Sequence, residues 1–141
     1  MADHDFRCGD IVRCISPYYA EQLRITTQHG IVMATKPHHI HVWFEAQKRG
    51  FWITYDILRR IPEPELTPLL ERIRTLAYLL NAEEWELEET AEVYRLICYV
   101  DEEPLETLME LRASLDIHYR ALSLKPEGMG RMIAQIEWLK P

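Results

Sequence analysis

Apolar residues recur at every second position before residue 62 and about every 3.6 positions after residue 64, and the change falls at Pro62-Glu63-Pro64. Each proline fixes φ and disfavours helix in the residue before it, so this junction reads as a stiff linker. A period of two marks a strand with one buried face, and a period near 3.6 marks an amphipathic helix. The expectation is an α+β protein, with a β domain over residues 1–62 and an acidic bundle of three to four α-helices over residues 63–141.

The first part divides into short β-rich runs at Asp10–Ile15, Gly30–Ala34, His39–Glu45, Phe51–Ile53 and Ile57–Ile61. Turn-forming residues separate them: Ser16-Pro17, Lys36-Pro37, Ala46–Gly50 and Tyr55-Asp56. Alternation places Ile40, Val42 and Phe44 on one face of the third run, facing a core, and His39, His41 and Trp43 on the other. Strands this short cannot cover two faces as an open sheet, and curling into a small barrel gives them a single core.

Gly9-Asp10-Ile11-Val12 opens the first run, a long connection leads to Gly30-Ile31-Val32, and a central aromatic strand precedes Gly50-Phe51-Trp52-Ile53 and a turn into Ile57-Leu58. This order resembles the SH3-like small barrels in the broad sense (KOW and Tudor types among them) over residues 6–62. The resemblance implies a cleft lined by loop tyrosines and strand aromatics. Ile53 and Thr54 stand where peptide-binding SH3 domains show Pro-Ser, so proline-rich ligands are not expected.

In the second part Thr67-Pro68 forms a cap and first turn for a helix carrying Leu69, Leu70, Ile73, Leu76, Ala77 and Leu80. Asn81 can stop it, and Asn81-x-x-Glu84 has the form of a capping box for a second helix with Leu87, Ala91, Tyr94 and Cys98 on one stripe. Asp101 would cap a third helix with Leu105, Leu108, Arg112, Leu115, Tyr119 and Leu122 on its seam. A fourth would follow Pro126, with Met129, Met132, Ile133 and Ile136 facing inward.

Charge follows the same division. Residues 1–62 hold eight Lys/Arg against six Asp/Glu, and residues 63–141 hold eight against seventeen, within a net charge of −7. The acidic part repels phosphate backbones. Three scattered cysteines without a Cys-x-x-Cys pattern imply free thiols in a reducing compartment. Met1–Asp5 has neither the basic flank nor the apolar stretch of a signal peptide, and no apolar run approaches the ~18 residues of a membrane span. A cytoplasmic protein that does not use a membrane is expected.

Tyr18, Tyr19, Trp43, Trp52 and Tyr55 form the foremost candidate for binding, because aromatics bury large area and keep a polar handle. Glu84 and Glu88, within the acidic run Glu83–Glu92, suit electrostatic steering of a basic partner. Together these predict a non-enzymatic protein–protein interaction module: an adaptor, regulator or small subunit. Lys48, Arg49, Arg59 and Arg60, together with Lys36 and with Trp43 and Trp52 as stacking platforms, define the alternative, a factor binding DNA or RNA through the barrel. His39 and His41 share a strand face, but zinc needs a third protein ligand that no spacing selects, so no metal or other cofactor is expected. No nucleophile elbow or phosphate-binding glycine loop supports catalysis.

Overall fold

The computed structural model describes residues 4–62, 65–101, 106, 109–110, 119–128 and 130–140. The chain forms two compact units, Met1–Thr75 and Leu76–Pro141. Both are built from antiparallel strands.

In the first unit the strands are β1 (Ile11–Cys14), β2 (Gly30–Thr35), β3 (His39–Phe44), β4 (Arg49–Thr54) and β5 (Leu58–Arg60). They pair in the order β5-β1-β2-β3-β4. The arrangement is compatible with a small β-barrel-like fold. Alternation works as the sequence implies: Val12, Val32, Ile40, Val42, Phe44, Ile53 and Leu58 gather into one buried cluster with Cys14, Ala20 and Ile25. At the start of β2, a Cβ on Gly30 would collide with Val42 and Phe44, so this crossing admits only glycine.

Ser16-Pro17 does more than end β1. It starts α1 (Pro17–Gln22), with the Ser16 hydroxyl accepting from the Tyr19 N–H at 3.5 Å and Pro17 at the head of the helix. The long connection after β1 thus contains a short helix. A 3-10 turn, Tyr55–Ile57, joins β4 to β5.

α2 (Pro68–Leu79) forms where Thr67-Pro68 predicts it, and the Thr67 hydroxyl accepts from the Leu70 N–H at 3.3 Å. The division between the units falls within this helix. Asn81 ends the segment in a left-handed conformation, φ 49°. No helix among the described residues is long and apolar enough to cross a membrane.

The expected helical bundle is overturned beyond Asn81. The chain instead forms β6 (Glu84–Glu89), β7 (Val93–Val100), β8 (Tyr119–Gly128) and β9 (Arg131–Leu139), paired in the order β6-β7-β9-β8. Thr90 closes the β6–β7 turn, its N–H donating to the Val93 carbonyl at 2.9 Å and its hydroxyl accepting from the Val93 N–H at 3.1 Å. Register aligns Trp85 with Cys98 and Cys98 with Ala134, and Leu96 with Ile136. These residues are buried, whereas Glu86 and Glu88 on the alternate face of β6 are exposed.

The physical reason is the two-residue period of Glu84-Trp85-Glu86-Leu87-Glu88, which a helix would scatter around its circumference. Asn81-x-x-Glu84 imitates a capping box but leads into a strand. Of the third expected helix, residues 106, 109 and 110 are helical, residues 102–105, 107–108 and 111–118 lie outside the described residues, and Tyr119–Gly128 is strand. In place of the fourth, Gly128 (φ 87°) and Gly130 (φ 79°) form the turn between β8 and β9, where the left-handed region suits glycine.

Candidate functional site

The β3–β4 register sets His41 opposite Trp52, Trp43 opposite Gly50 and His39 opposite Thr54. His39, His41 and Trp43 share the face of β3 opposite Ile40, Val42 and Phe44, but their environments differ. Trp43 is only 7% exposed, whereas Trp52, across the same strand pair, is 46% exposed. The imidazole of His41 stacks on the Trp52 indole, with centroids 4.6 Å apart and planes 11° apart. The Lys36 ammonium lies 4.6 Å from the indole centroid, in cation–π contact.

The glycine at position 50 makes room for this stack. A Cβ there would stand 2.5 Å from His41 Nε2 and 2.9 Å from Met33 Sδ. Met33 falls at a register shift in β2, a place where a bulge redirects a side chain. His41 therefore lies over a backbone with no side chain, beside the Met33 thioether. Trp52 is exposed but held, with its own chain's lysine against the ring. That lysine occupies the position a methylated amine would take in an aromatic cage.

The other sequence-predicted aromatics lie apart from this stack. Tyr18 and Tyr19 stand exposed on α1 with their rings edge to face at 5.3 Å. Tyr55, in the 3-10 turn, packs partly against the core of the first unit and contacts His4 at 5.8 Å. Among the described residues no ring contact joins Tyr18 or Tyr19 to Trp52 or Tyr55. Lys36, one of the basic candidates, completes the Trp52 surface with Met33, which carried no sequence signal as part of a site. Their placement depends on pairing between β2, β3 and β4.

Glu84 and Glu88 lie on β6, not on a helix. Glu84 meets Arg131 at 2.6 Å, and Glu88 meets Arg95 at 2.8 Å. Arg95 also reaches Glu137 at 2.9 Å, forming a charge ladder across β6, β7 and β9. Much of the acidity of this segment is therefore neutralised within the sheet. A hydrogen bond with Asp101 raises the Glu83 pKa, burial and repulsion from Asp101 and Glu84 raise it further, and Arg131 opposes them.

The basic candidates are dispersed. Lys48 sits in the β3–β4 turn with φ 50°, and Arg49 at the start of β4 lies 5.0 Å from the Phe51 centroid. Arg60 is held by Asp10, 3% exposed, at 3.0 Å and by Asp5 at 3.4 Å. Burial lowers the Arg60 pKa, but these two carboxylates more than offset it and raise the value. Arg59 is exposed on β5, directly opposite Arg13 on β1.

His39 and His41 gain no third ligand: among the described residues no three His, Cys, Asp or Glu side chains are grouped to hold a metal ion. Cys8, Cys14 and Cys98 are buried and form no disulfide. Burial pushes the Cys98 thiol up to about 12, so it stays protonated at neutral pH.

Comparison with protein-family models, with curated proteins and with solved structures finds no match.

Proposed function

We propose that the chain is a non-enzymatic protein–protein interaction module whose first unit is an SH3-like barrel presenting Trp52 to a protein partner. The strand order β5-β1-β2-β3-β4 and the 3-10 turn before β5 support the barrel assignment. The observation that carries the function is the indole of Trp52, 46% exposed yet braced by His41 and Lys36. A rigid, half-exposed indole loses little conformational freedom on docking and buries large area, which are the properties of an interface hot spot. Three buried free thiols fit a reducing cytoplasm.

A nucleic-acid role has weaker support. Two carboxylates neutralise Arg60, and Lys48 and Arg49 sit at the β3–β4 turn while Arg59 lies on β5. Binding to a phosphate backbone draws on many neutralising contacts together.

Co-purification from the native host tests the proposal. Tagged wild-type chain should retain a stoichiometric protein partner, and Trp52→Ala should lose it while keeping the wild-type circular dichroism spectrum. Equal recovery with both chains would refute the assignment to Trp52.

A further inference from the structure

We infer that Arg13 and Arg59 form a cationic fork that docks an acidic segment of a partner protein. This shares with the proposed function only the premise that the partner is a protein, and it does not involve Trp52.

The antiparallel register of β1 and β5 pairs Arg13 with Arg59, between Val12–Arg60 on one side and Cys14–Leu58 on the other. Both arginines are exposed, and among the described residues neither side chain has a hydrogen bond, ion pair or ring contact. Like charges directly opposite on a sheet destabilise the pair. Three other strand-borne arginines are matched with carboxylates: Arg60 with Asp10, Arg95 with Glu88 and Glu137, Arg131 with Glu84, while Arg49 covers the Phe51 ring. Arg13 and Arg59 have neither kind of partner among the described residues and face each other as like charges, and an anion from outside would neutralise them.

The backbone that carries the fork is fixed. Val12, Cys14 and Leu58 anchor the same two strands in the barrel core. The strand pair is also tied by the Ile15 N–H, which donates to the Ile57 carbonyl at 2.8 Å, and by the Ile61 N–H, which donates to the Ile11 carbonyl at 2.9 Å. Two residues beyond Arg13, on the side that alternation assigns to it, Ile15 is 44% exposed and offers apolar contact.

Paired guanidiniums beside an apolar side chain fit a peptide that alternates carboxylate and aliphatic residues, because each guanidinium can engage a carboxylate with two hydrogen bonds. A nucleic-acid backbone fits less well. The adjacent Arg60 is already neutralised by Asp10 and Asp5, and residues 1–62 carry only two more basic than acidic residues.

Fluorescence anisotropy of the full chain with a labelled peptide of alternating glutamate and leucine tests the fork, with labelled oligothymidylate as competitor class. The wild type should bind the peptide in a salt-sensitive manner. Arg13→Ala with Arg59→Ala should weaken binding by about tenfold or more, the loss expected for charge-assisted hydrogen bonds, and Lys125→Ala should leave it unchanged. Arg13→Glu serves as the folded control, because an opposite charge facing Arg59 should hold or raise the melting temperature while binding is lost. The inference is overturned by undiminished binding in the double variant, by no peptide binding to the wild type, or by preference for oligothymidylate. Self-association that Arg13→Glu abolishes would also overturn it, since the occupant would then be a second copy. The peptide assay uses no native partner, so its failure leaves the Trp52 proposal standing, and failure of co-purification leaves the peptide result standing.

Discussion

The imidazole of His41 lies nearly parallel to the indole of Trp52, 11° between planes and 4.6 Å between centroids, above a strand position that has no side chain. The absent side chain is that of Gly50, and its replacement is the most direct way to disturb the stack. Gly50→Ala should force His41 or Met33 aside and destabilise the first unit by about 1–3 kcal/mol, the usual range for overpacking. Urea denaturation followed by tryptophan fluorescence measures this, and an unchanged midpoint would contradict the close approach.

Asp10 should matter more to folding than its position at the head of β1 suggests. Its Oδ2 accepts from the Arg7 N–H at 2.9 Å and from Arg60 Nε at 3.1 Å. Asp10→Ala should cost about 2–3 kcal/mol, since hydrogen bonds to a charged group are lost at a buried position. Arg60→Ala should cost less, because that side chain is 42% exposed and solvent screens its charge. Chemical denaturation of the two variants would reveal the order, and equal losses would contradict it.

The strand assignment of β6 makes a prediction that a helix would not. Trp85 is 1% exposed, and its neighbour Glu86 is exposed. Trp85→Ala should destabilise by about 3–5 kcal/mol, whereas Glu86→Ala should stay within about 0.5 kcal/mol. Leu87 and Glu88 should repeat the contrast in weaker form, because Leu87 is only half-buried. A stability scan along residues 84–88 that failed to alternate would argue against the strand.

The Glu83 carboxyl holds its proton to higher pH in the folded chain than in the unfolded one, first through its hydrogen bond with Asp101 and then through burial. A carboxyl with a raised folded pKa adds stability below the ordinary carboxylate range and loses that contribution as pH rises through the folded value. Glu83→Gln removes the titration. Relative to wild type, it should therefore gain stability between acid and neutral pH, measured as a difference in melting temperature. A constant difference across that range would show that Glu83 does not titrate differently on folding.

Much of the first unit was legible because its signals are local. Ile40, Val42 and Phe44 alternate so plainly that their burial needed no knowledge of the neighbouring strands. Ser16-Pro17 was half legible: it ends a strand, and its cap-and-proline form also starts α1. The second unit was misread from particular residues. Glutamates carry good helix propensity and Asn81-x-x-Glu84 imitates a cap, yet Glu84-Trp85-Glu86-Leu87-Glu88 alternates with period two and Val93–Val100 is rich in β-branched and aromatic residues. Period and composition outweighed propensity, because burying Trp85 along one face of a sheet outweighs a few tenths of a kcal/mol per residue in helix preference.

The sequence alone determined where Pro68 begins a helix, which face of β3 turns inward and which residues alternate along β6, because backbone sterics and side-chain direction act over a few residues. Tertiary structure alone decided that Trp43 is buried and Trp52 is not, that Asp10 neutralises Arg60 from fifty positions away, and that Arg13 lies directly opposite Arg59. Burial and charge pairing depend on which remote strand lies alongside, and that is set by the register of the whole sheet rather than by any one segment.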